Sequence, residues 1–98
     1  MNLIALYAHP KDADAFDKAY FGEHLPLIKK VPGLLGIEMS KHTRTLTGGK
    51  APYMIALMKF ADKEALKAAL NSPEMATAGE NLDSFAKDRY TLMMAEAK

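Results

Sequence analysis

The chain contains no cysteine among its 98 residues. Disulfides, thiolate metal sites and cysteine nucleophiles are therefore excluded, and so is a small secreted scaffold held together by bridges. Stability must come from the packing of apolar side chains, which make up 49% of the sequence. Because this length falls at the lower end of the usual domain range, we expect a single domain over residues 1–98.

Long apolar runs and a surplus of one charge are also missing. No stretch reaches the roughly 18 uninterrupted apolar residues of a membrane helix, and the N-terminus begins a strand pattern without a charged leader. The formal net charge is +1, and acids and bases are interleaved along the helices, so there is no basic stripe for nucleic acid. We expect a cytoplasmic protein that binds neither membranes nor nucleic acid.

Cofactor fingerprints are absent as well. Gly48-Gly49-Lys50 lacks the preceding glycine spacing and the following Ser or Thr of a phosphate loop, which favours a flexible hairpin connection. No nicotinamide or flavin fingerprint occurs anywhere in the chain. We therefore expect no cofactor.

Four segments alternate in the manner of β-strands. They are Asn2 to His9, Leu34 to about His42, Tyr53 to Phe60 and about Arg89 to Glu96. A helical period runs from Ala13 to Val31 behind an Asp12 cap, and two short helices follow Asp62 and Ser72. The order βαββαβ predicts a ferredoxin-like α+β fold, in which helices cover one face of a four-stranded antiparallel sheet.

The first, third and fourth strands are apolar on both faces. In the third strand Met54 and Ala56 alternate with Ile55 and Leu57, although helices can cover only one side of the sheet. An exposed apolar sheet of this size is a liability in a monomer, and a twofold partner is the commonest way to cover it. We expect a sheet-to-sheet homodimer.

The first helix carries the candidate site on its inner face. Apolar and aromatic residues share that face with one histidine: Phe16, Tyr20, His24, Leu27, Ile28 and Val31. Pro26 cannot donate a hydrogen bond to the carbonyl of Gly22, so the helix should kink at His24 and open a cavity there.

Two interpretations of His24 stay open. It is either a core histidine that bonds a carbonyl group, or an acid or base for a phenol, quinol or activated carbon acid. In the second case Tyr20, one turn away, positions it or binds substrate. Tyr7, Tyr53 and Tyr90 could line the pocket from the strands, although strand tyrosines usually pack with their hydroxyls at the rim.

A metal site built from the three histidines is not expected. The first and second strands flank the third, which puts His9 and His42 about 10 Å apart. His24 lies about 18 Å along its helix. A lone histidine could still serve as an axial ligand to haem iron.

These residues together resemble the EthD family of small dimeric α+β barrel proteins. The resemblance covers nearly the whole chain and rests on Tyr7 before His9-Pro10, Phe16 with Tyr20-Phe21, His24-Leu25-Pro26-Leu27, Pro32-Gly33-Leu34 and Ser72-Pro73-Glu74. Many members have two tyrosines where Tyr20 and Phe21 stand here. The resemblance implies the fold, a homodimer and a pocket with His24 as the natural candidate group.

Related dimeric α+β barrels include cofactor-free quinol monooxygenases, lactone isomerases, polyketide cyclases and haem-degrading enzymes, and fold alone does not establish a reaction. The leading hypothesis is a cofactor-free enzyme, monooxygenase-like or an isomerase or cyclase, acting on a small aromatic, quinone-like or lactone-like metabolite. His24 would be its acid or base, and Phe16, Tyr20 and Tyr7 would bind substrate. The alternatives are a non-catalytic binding or accessory protein of an oxidative degradation pathway, and haem binding or degradation through His24.

Overall fold

Four strands form one antiparallel sheet in the order β2-β3-β1-β4. The computed structural model describes all residues, 1–98, and bounds the strands as β1 Asn2–Tyr7, β2 Gly36–Lys41, β3 Met54–Lys59 and β4 Tyr90–Ala95. The predicted ferredoxin-like α+β fold is confirmed, with helical segments between β1 and β2 and between β3 and β4.

The helices begin at the predicted caps. They are α1 Ala13–Ala19, a π-helical segment Tyr20–His24, α2 Leu25–Ile28, α3 Lys63–Leu70 and α4 Pro73–Ala86. The side chains of Asp12, Asp62 and Ser72 each accept a backbone N–H three residues on, at 3.0, 2.8 and 3.2 Å respectively. These bonds satisfy amide groups that the first helical turn leaves free. None of the helices has the length and apolarity needed to cross a membrane.

The helix after β1 differs from the single kinked helix that the sequence predicts. It ends at Ile28, and the turn before Pro26 is π-helical, with the Leu25 N–H donating to the Tyr20 carbonyl five residues back. The α-helical pattern resumes beyond the proline, where the Lys29 N–H donates to the Leu25 carbonyl at 3.0 Å. A wider turn thus accompanies the proline, which cannot donate to the ladder.

The core lies between the sheet and the helices. Its strand contribution comes from alternate side chains of the two central strands, which pair directly across the register: Leu3, Ala5 and Tyr7 with Met58, Ala56 and Met54. All six are buried and belong to one apolar cluster that also contains residues of the helices. Tyr7 therefore faces the helices from the last position of β1.

The opposite sheet face has no helix over it. On this outer sheet face the apolar side chains of three neighbouring strands lie together, and a Lys59–Glu38 ion pair stands at the β2 edge. The apolar side chains are Ile4, Leu6, Ile55, Leu57 and Met93. Ile55 is 38% exposed and Met93 40% exposed. The sheet is thus apolar on both sides, as the alternation predicts.

Candidate functional site

Four side chains from three elements form an aromatic cluster against the sheet: Tyr7 of β1, Phe16 of α1, and Tyr20 and His24 of the π-helical segment. The ring centroids of Tyr7 and Tyr20 are 5.2 Å apart, those of Tyr7 and Phe16 5.7 Å, and those of Tyr20 and His24 5.2 Å. All four side chains are buried. The structure thus brings together the four residues that the sequence singles out as candidates.

The π-helical turn gives this cluster its two central members. Tyr20 and His24 stand at its two ends and are both buried, whereas Phe21, Gly22 and Glu23 between them are exposed. Inserted π-helical turns occur frequently at functional sites, because the added residue re-aims the side chains around it. Here the turn directs both polar rings toward the core.

His24 packs against α4 with one ring nitrogen unpaired. Its ring centroid lies 6.3 Å from that of Phe85. Nδ1 of His24 and Oδ1 of Asn81 are both buried and have no hydrogen-bond partner, while Nδ2 of Asn81 donates to Oε1 of Glu23 at 3.3 Å. Burial lowers the pKa of His24, and the neighbouring Asn81 amide and Ala78 carbonyl oppose that shift only in part. The imidazole is therefore neutral at neutral pH.

The two tyrosine hydroxyls of the cluster stay protonated. Burial raises the pKa of Tyr7, and the adjacent Tyr20 hydroxyl raises it further. Burial also raises the pKa of Tyr20, with a hydrogen bond from Tyr7 acting in the opposite direction. Tyr7 donates its single hydroxyl proton to Tyr20, so Tyr20 is the phenol that can donate a hydrogen bond beside the neutral imidazole.

A cavity of about 290 Å³ opens beside the first helix. Phe16 and Phe85, whose ring centroids are 5.5 Å apart, line it, and each ring also contacts the cluster, Phe16 at Tyr20 and Phe85 at His24. His24 itself lines neither this cavity nor a larger one at the end of the sheet. The cavity expected at His24 thus lies one aromatic ring away from it, because the π-helical turn keeps the helix packed against α4.

The rings of the other two strand tyrosines flank the cluster, Tyr53 at 5.6 Å from Phe16 and Tyr90 at 6.4 Å from Tyr7, but their hydroxyls are bonded outside it. The Tyr53 hydroxyl donates to Asp17 at 2.8 Å, and the Tyr90 hydroxyl donates to Asp83 at 2.6 Å. Asp17 also pairs with Lys41. Although desolvation opposes the shift, hydrogen bonds from Lys41 and Tyr53 lower the pKa of Asp17. Asp17 of α1 is therefore joined to β2 and to the start of β3.

His9 and His42 lie closer together than the strand spacing suggests. Their ring centroids are 5.9 Å apart, and the Tyr53 ring lies 5.7 Å from His9. The approach is possible because both histidines stand beyond the strand ends and lean toward Tyr53, just before β3 begins. No three histidine, aspartate or glutamate side chains of the chain converge in a way that could hold a metal ion.

The sequence does not identify two residues of α4, Phe85 and Asn81, as part of the site. Helical spacing places Phe85 on the inner face of α4, where it is half-buried, and Asn81 lies one turn before it on that face, which is the one signal that the sequence offers for Asn81. Nothing local indicates that this face lies opposite His24.

Phe21, which stands where many family members have a second tyrosine, is 39% exposed. A tyrosine at this position would place its hydroxyl at the surface and outside the cluster.

The fold, with the aromatic cluster around His24, defines a small ferredoxin-like α+β domain. The family model for the EthD domain matches residues 8–89, and the chain belongs to the EthD family. A solved EthD family protein from Bacillus halodurans is 35% identical, with a TM-score of 0.92 over 99% of this chain and 97% of that one. An uncharacterized 11.0 kDa protein from the thcB-thcC intergenic region of Rhodococcus erythropolis is 28% identical over 91 residues, 93% of this chain and 88% of the relative.

Two more distant structures share the fold. A dimeric ferredoxin-like protein of unknown function from Jannaschia has a TM-score of 0.71 at 18% identity, over 98% of both chains. SnoaB, a cofactor-independent oxygenase from Streptomyces nogalater, has a TM-score of 0.61 at 16% identity, over 99% of this chain and 92% of that one. At such identities the likeness establishes the fold alone.

Proposed function

We propose that this EthD-family protein binds a small aromatic, quinone-like or lactone-like metabolite and transforms it without a cofactor, with His24 as the acid or base. The observation that carries the proposal is the unpaired Nδ1 of His24, buried inside an aromatic cluster. Buried polar atoms nearly always have a hydrogen-bond partner. A hydroxyl or carbonyl group of a bound ligand would supply the missing one.

The cluster has the groups that proton transfer needs. A neutral imidazole accepts a proton from a phenol, a quinol or an activated C–H bond and becomes imidazolium. A hydrogen bond from the Tyr20 hydroxyl, which itself accepts one from Tyr7, would stabilise the oxygen that gains negative charge. Return of the proton to another atom completes an isomerisation or cyclisation. With dioxygen, an activated CH2 carbon would be oxidised to a carbonyl group: one oxygen atom stays on the carbon, the other leaves as water with the two hydrogens, and the substrate itself supplies the electrons.

The ligand would enter through the cavity beside the first helix. Its volume of about 290 Å³ is near the lower end of ligand pockets, which span about 300–1,000 Å³. Phe16 and Phe85 line the cavity and contact Tyr20 and His24 respectively. Rotation of these two rings would enlarge the cavity and expose His24. The likeness to SnoaB adds a precedent for cofactor-independent oxygenase chemistry on this fold, without assigning a role to any residue.

A non-catalytic binding protein is the second candidate. It is favoured by the closed state of the cluster, in which His24 is 3% exposed, because a ligand held in front of Phe16 and Phe85 would touch no proton-transferring group. The same enclosure weighs against haem, since axial ligation needs an imidazole that the iron can reach.

A thermal-shift screen of wild type, His24→Phe and His42→Phe against phenols, quinones and lactones tests the proposal. A ligand at 100 times its Kd adds about 2.7 kcal/mol, or roughly 10 °C or more for a domain of this size. We expect a hit that is lost in His24→Phe and kept in His42→Phe. Mass spectrometry of the incubated ligand then separates the two candidates. A new product that His24→Ala forms at the full rate contradicts the acid–base role, and unchanged ligand favours a binding protein.

We also propose that a second copy of the chain covers the outer sheet face. Two observations support this: the face is apolar across three strands, and the Jannaschia protein with the same fold is described as dimeric. A twofold pairing would bury this face against itself.

A further inference from the structure

A second and larger cavity lies at the end of the sheet where β1 and β2 finish and β3 and β4 start. Its volume is about 730 Å³, within the range of small-molecule sites, which span about 300–1,000 Å³. Residues 6–9, 49–52 and 88–91 line it, together with His42 and Thr45. It shares Ala8 and Arg89 with the smaller cavity, but neither His24 nor Tyr20 reaches it.

The wall of this cavity is rich in basic groups. Its ionisable side chains are four bases, His9, His42, Lys50 and Arg89, and a single acid, Asp88, apart from the tyrosines. Even with both histidines neutral, two fixed cations stand against one carboxylate. Nη1 of Arg89 donates to the His9 carbonyl at 3.3 Å, which holds the guanidinium at the wall and leaves most of its five N–H donors free.

Aromatic surface lies next to these cations. Tyr90, His9 and His42 are among the residues that line the cavity, and the ring centroids of the two histidines are 5.9 Å apart. Asp88, beside Arg89, is the one non-glycine residue of the chain with a positive φ, 64°. Such backbone conformations cluster at ligand sites, where the surrounding structure compensates their cost. Cations, flat aromatic rings and a constrained turn therefore meet at one place.

We propose that this cavity binds a small aromatic carboxylate. The carboxylate lies against Arg89 and Lys50, because a guanidinium and an ammonium group provide charge-assisted hydrogen bonds. The aromatic ring of the ligand lies against Tyr90 and the His9 and His42 rings, where ring faces and edges match. The site is separate from the proposed chemistry at His24, and it stands whether or not that chemistry is correct.

Amide NMR titration of the ¹⁵N-labelled protein with benzoate, and with benzamide as its neutral isostere, tests the site. We expect saturable benzoate shifts centred on residues 6–9 and 88–91, and benzamide binding weaker by about tenfold, the effect of one lost charge-assisted hydrogen bond. Lys50→Gln and Arg89→Gln each weaken benzoate binding, again by about tenfold. Lys63→Gln, on the exposed start of α3, and His24→Phe bind as wild type.

Several results overturn the site: no saturable benzoate shift up to its solubility limit, equal binding of benzamide, or unchanged binding in both Lys50→Gln and Arg89→Gln. Inorganic phosphate is the third probe. Binding of phosphate as tightly as benzoate contradicts the aromatic part of the proposal. If Arg89→Gln does not fold, Lys50→Gln decides, because Lys50 lies in an exposed connection. Loss of benzoate binding in His24→Phe alone would move the ligand to the aromatic cluster and so reject this site.

Discussion

At the scale of single residues, His24 differs from an ordinary core histidine in its hydrogen bonding. A structural histidine in a protein interior normally has its nitrogens bonded to a carbonyl group or another partner. Nδ1 of His24 and Oδ1 of Asn81 have no hydrogen bond of standard geometry, although the Asn81 side chain and the Ala78 backbone lie near enough to the imidazole to raise its pKa. This incomplete hydrogen bonding is the basis of the proposed ligand-binding role.

The burial of His24 predicts a pH-dependent stability. Its pKa is lowered in the folded protein, so over the range between the folded and unfolded values the unfolded chain binds more protons. Stability therefore rises with pH in that range. The contribution is fully present above the unfolded value of about 6.5 and is lost as the pH falls toward the folded value. Its slope cannot exceed about 1.4 kcal/mol per pH unit, the value for one proton.

Urea unfolding at pH values between about 5 and 8 measures this slope. We expect the free energy of unfolding of wild type to fall more steeply toward low pH than that of His24→Phe, which lacks the titrating group. His9→Phe, at an exposed histidine, should keep the wild-type slope. Identical slopes in wild type and His24→Phe would mean that burial does not shift the His24 pKa.

At the scale of elements, the sequence predicts what is decided locally. The caps Asp12, Asp62 and Ser72 act on amides three residues away, and all three are confirmed. Strand ends are less well predicted, because pairing with a distant segment decides them. β1 stops at Tyr7 and not at His9, since its partner β3 begins at Met54, directly opposite Tyr7.

The sequence predicts the part of the candidate site that lies on the first helix and β1, but not the part on α4. The face shared by Phe16, Tyr20 and His24 follows from helical spacing, and Tyr7 follows from the resemblance to the EthD family. Pro26 predicts a distortion of the helix at His24, but not that the distortion is a π-helical turn and not a kink. Nor does the sequence indicate that Asn81 faces His24, since that depends on packing against α4 and not on local propensity.

Ser72 provides a direct test of how α4 is anchored. Its Oγ accepts the Met75 N–H at 3.2 Å and donates to the Ala69 carbonyl at 2.6 Å, so one buried hydroxyl joins α3 to α4. Removing an N-cap side chain costs about 1 kcal/mol, which corresponds to a Tm loss of roughly 4–8 °C in a domain of this size. Thermal unfolding of Ser72→Ala should show this loss. Ser84→Ala, at an exposed hydroxyl inside α4, should change Tm much less, and equal losses would contradict the capping role.

At the scale of the whole molecule, the two faces of the sheet carry different groups. The helix side holds the core, the aromatic cluster and the smaller cavity. The outer sheet face exposes apolar side chains across three strands, with the Lys59–Glu38 ion pair at its β2 edge. Leu6 of this face also lines the larger cavity, so a second copy seated on the face would stand beside the proposed carboxylate site. The proposed dimer interface and the proposed carboxylate site would therefore lie next to each other.

A matched pair of lysine substitutions tests the homodimer. Ile55, 38% exposed, lies on the outer sheet face, whereas Leu92, 49% exposed, pairs with the buried Ala5 and so points to the helix side of the edge strand. In light scattering at micromolar concentration we expect twice the chain mass for wild type and for Leu92→Lys. Ile55→Lys should give the mass of one chain, because it places a charge within the apolar interface, where an unpaired buried charge is strongly unfavourable.

The two variants separate the outer sheet face from exposed apolar surface in general. Both substitutions replace an exposed apolar side chain by lysine on the same sheet, so a nonspecific effect on solubility would change both in the same way. Loss of the dimer in Leu92→Lys alone would move the interface to the edge strand. A wild-type protein with the mass of one chain would remove the homodimer, and the outer sheet face would then need a different partner.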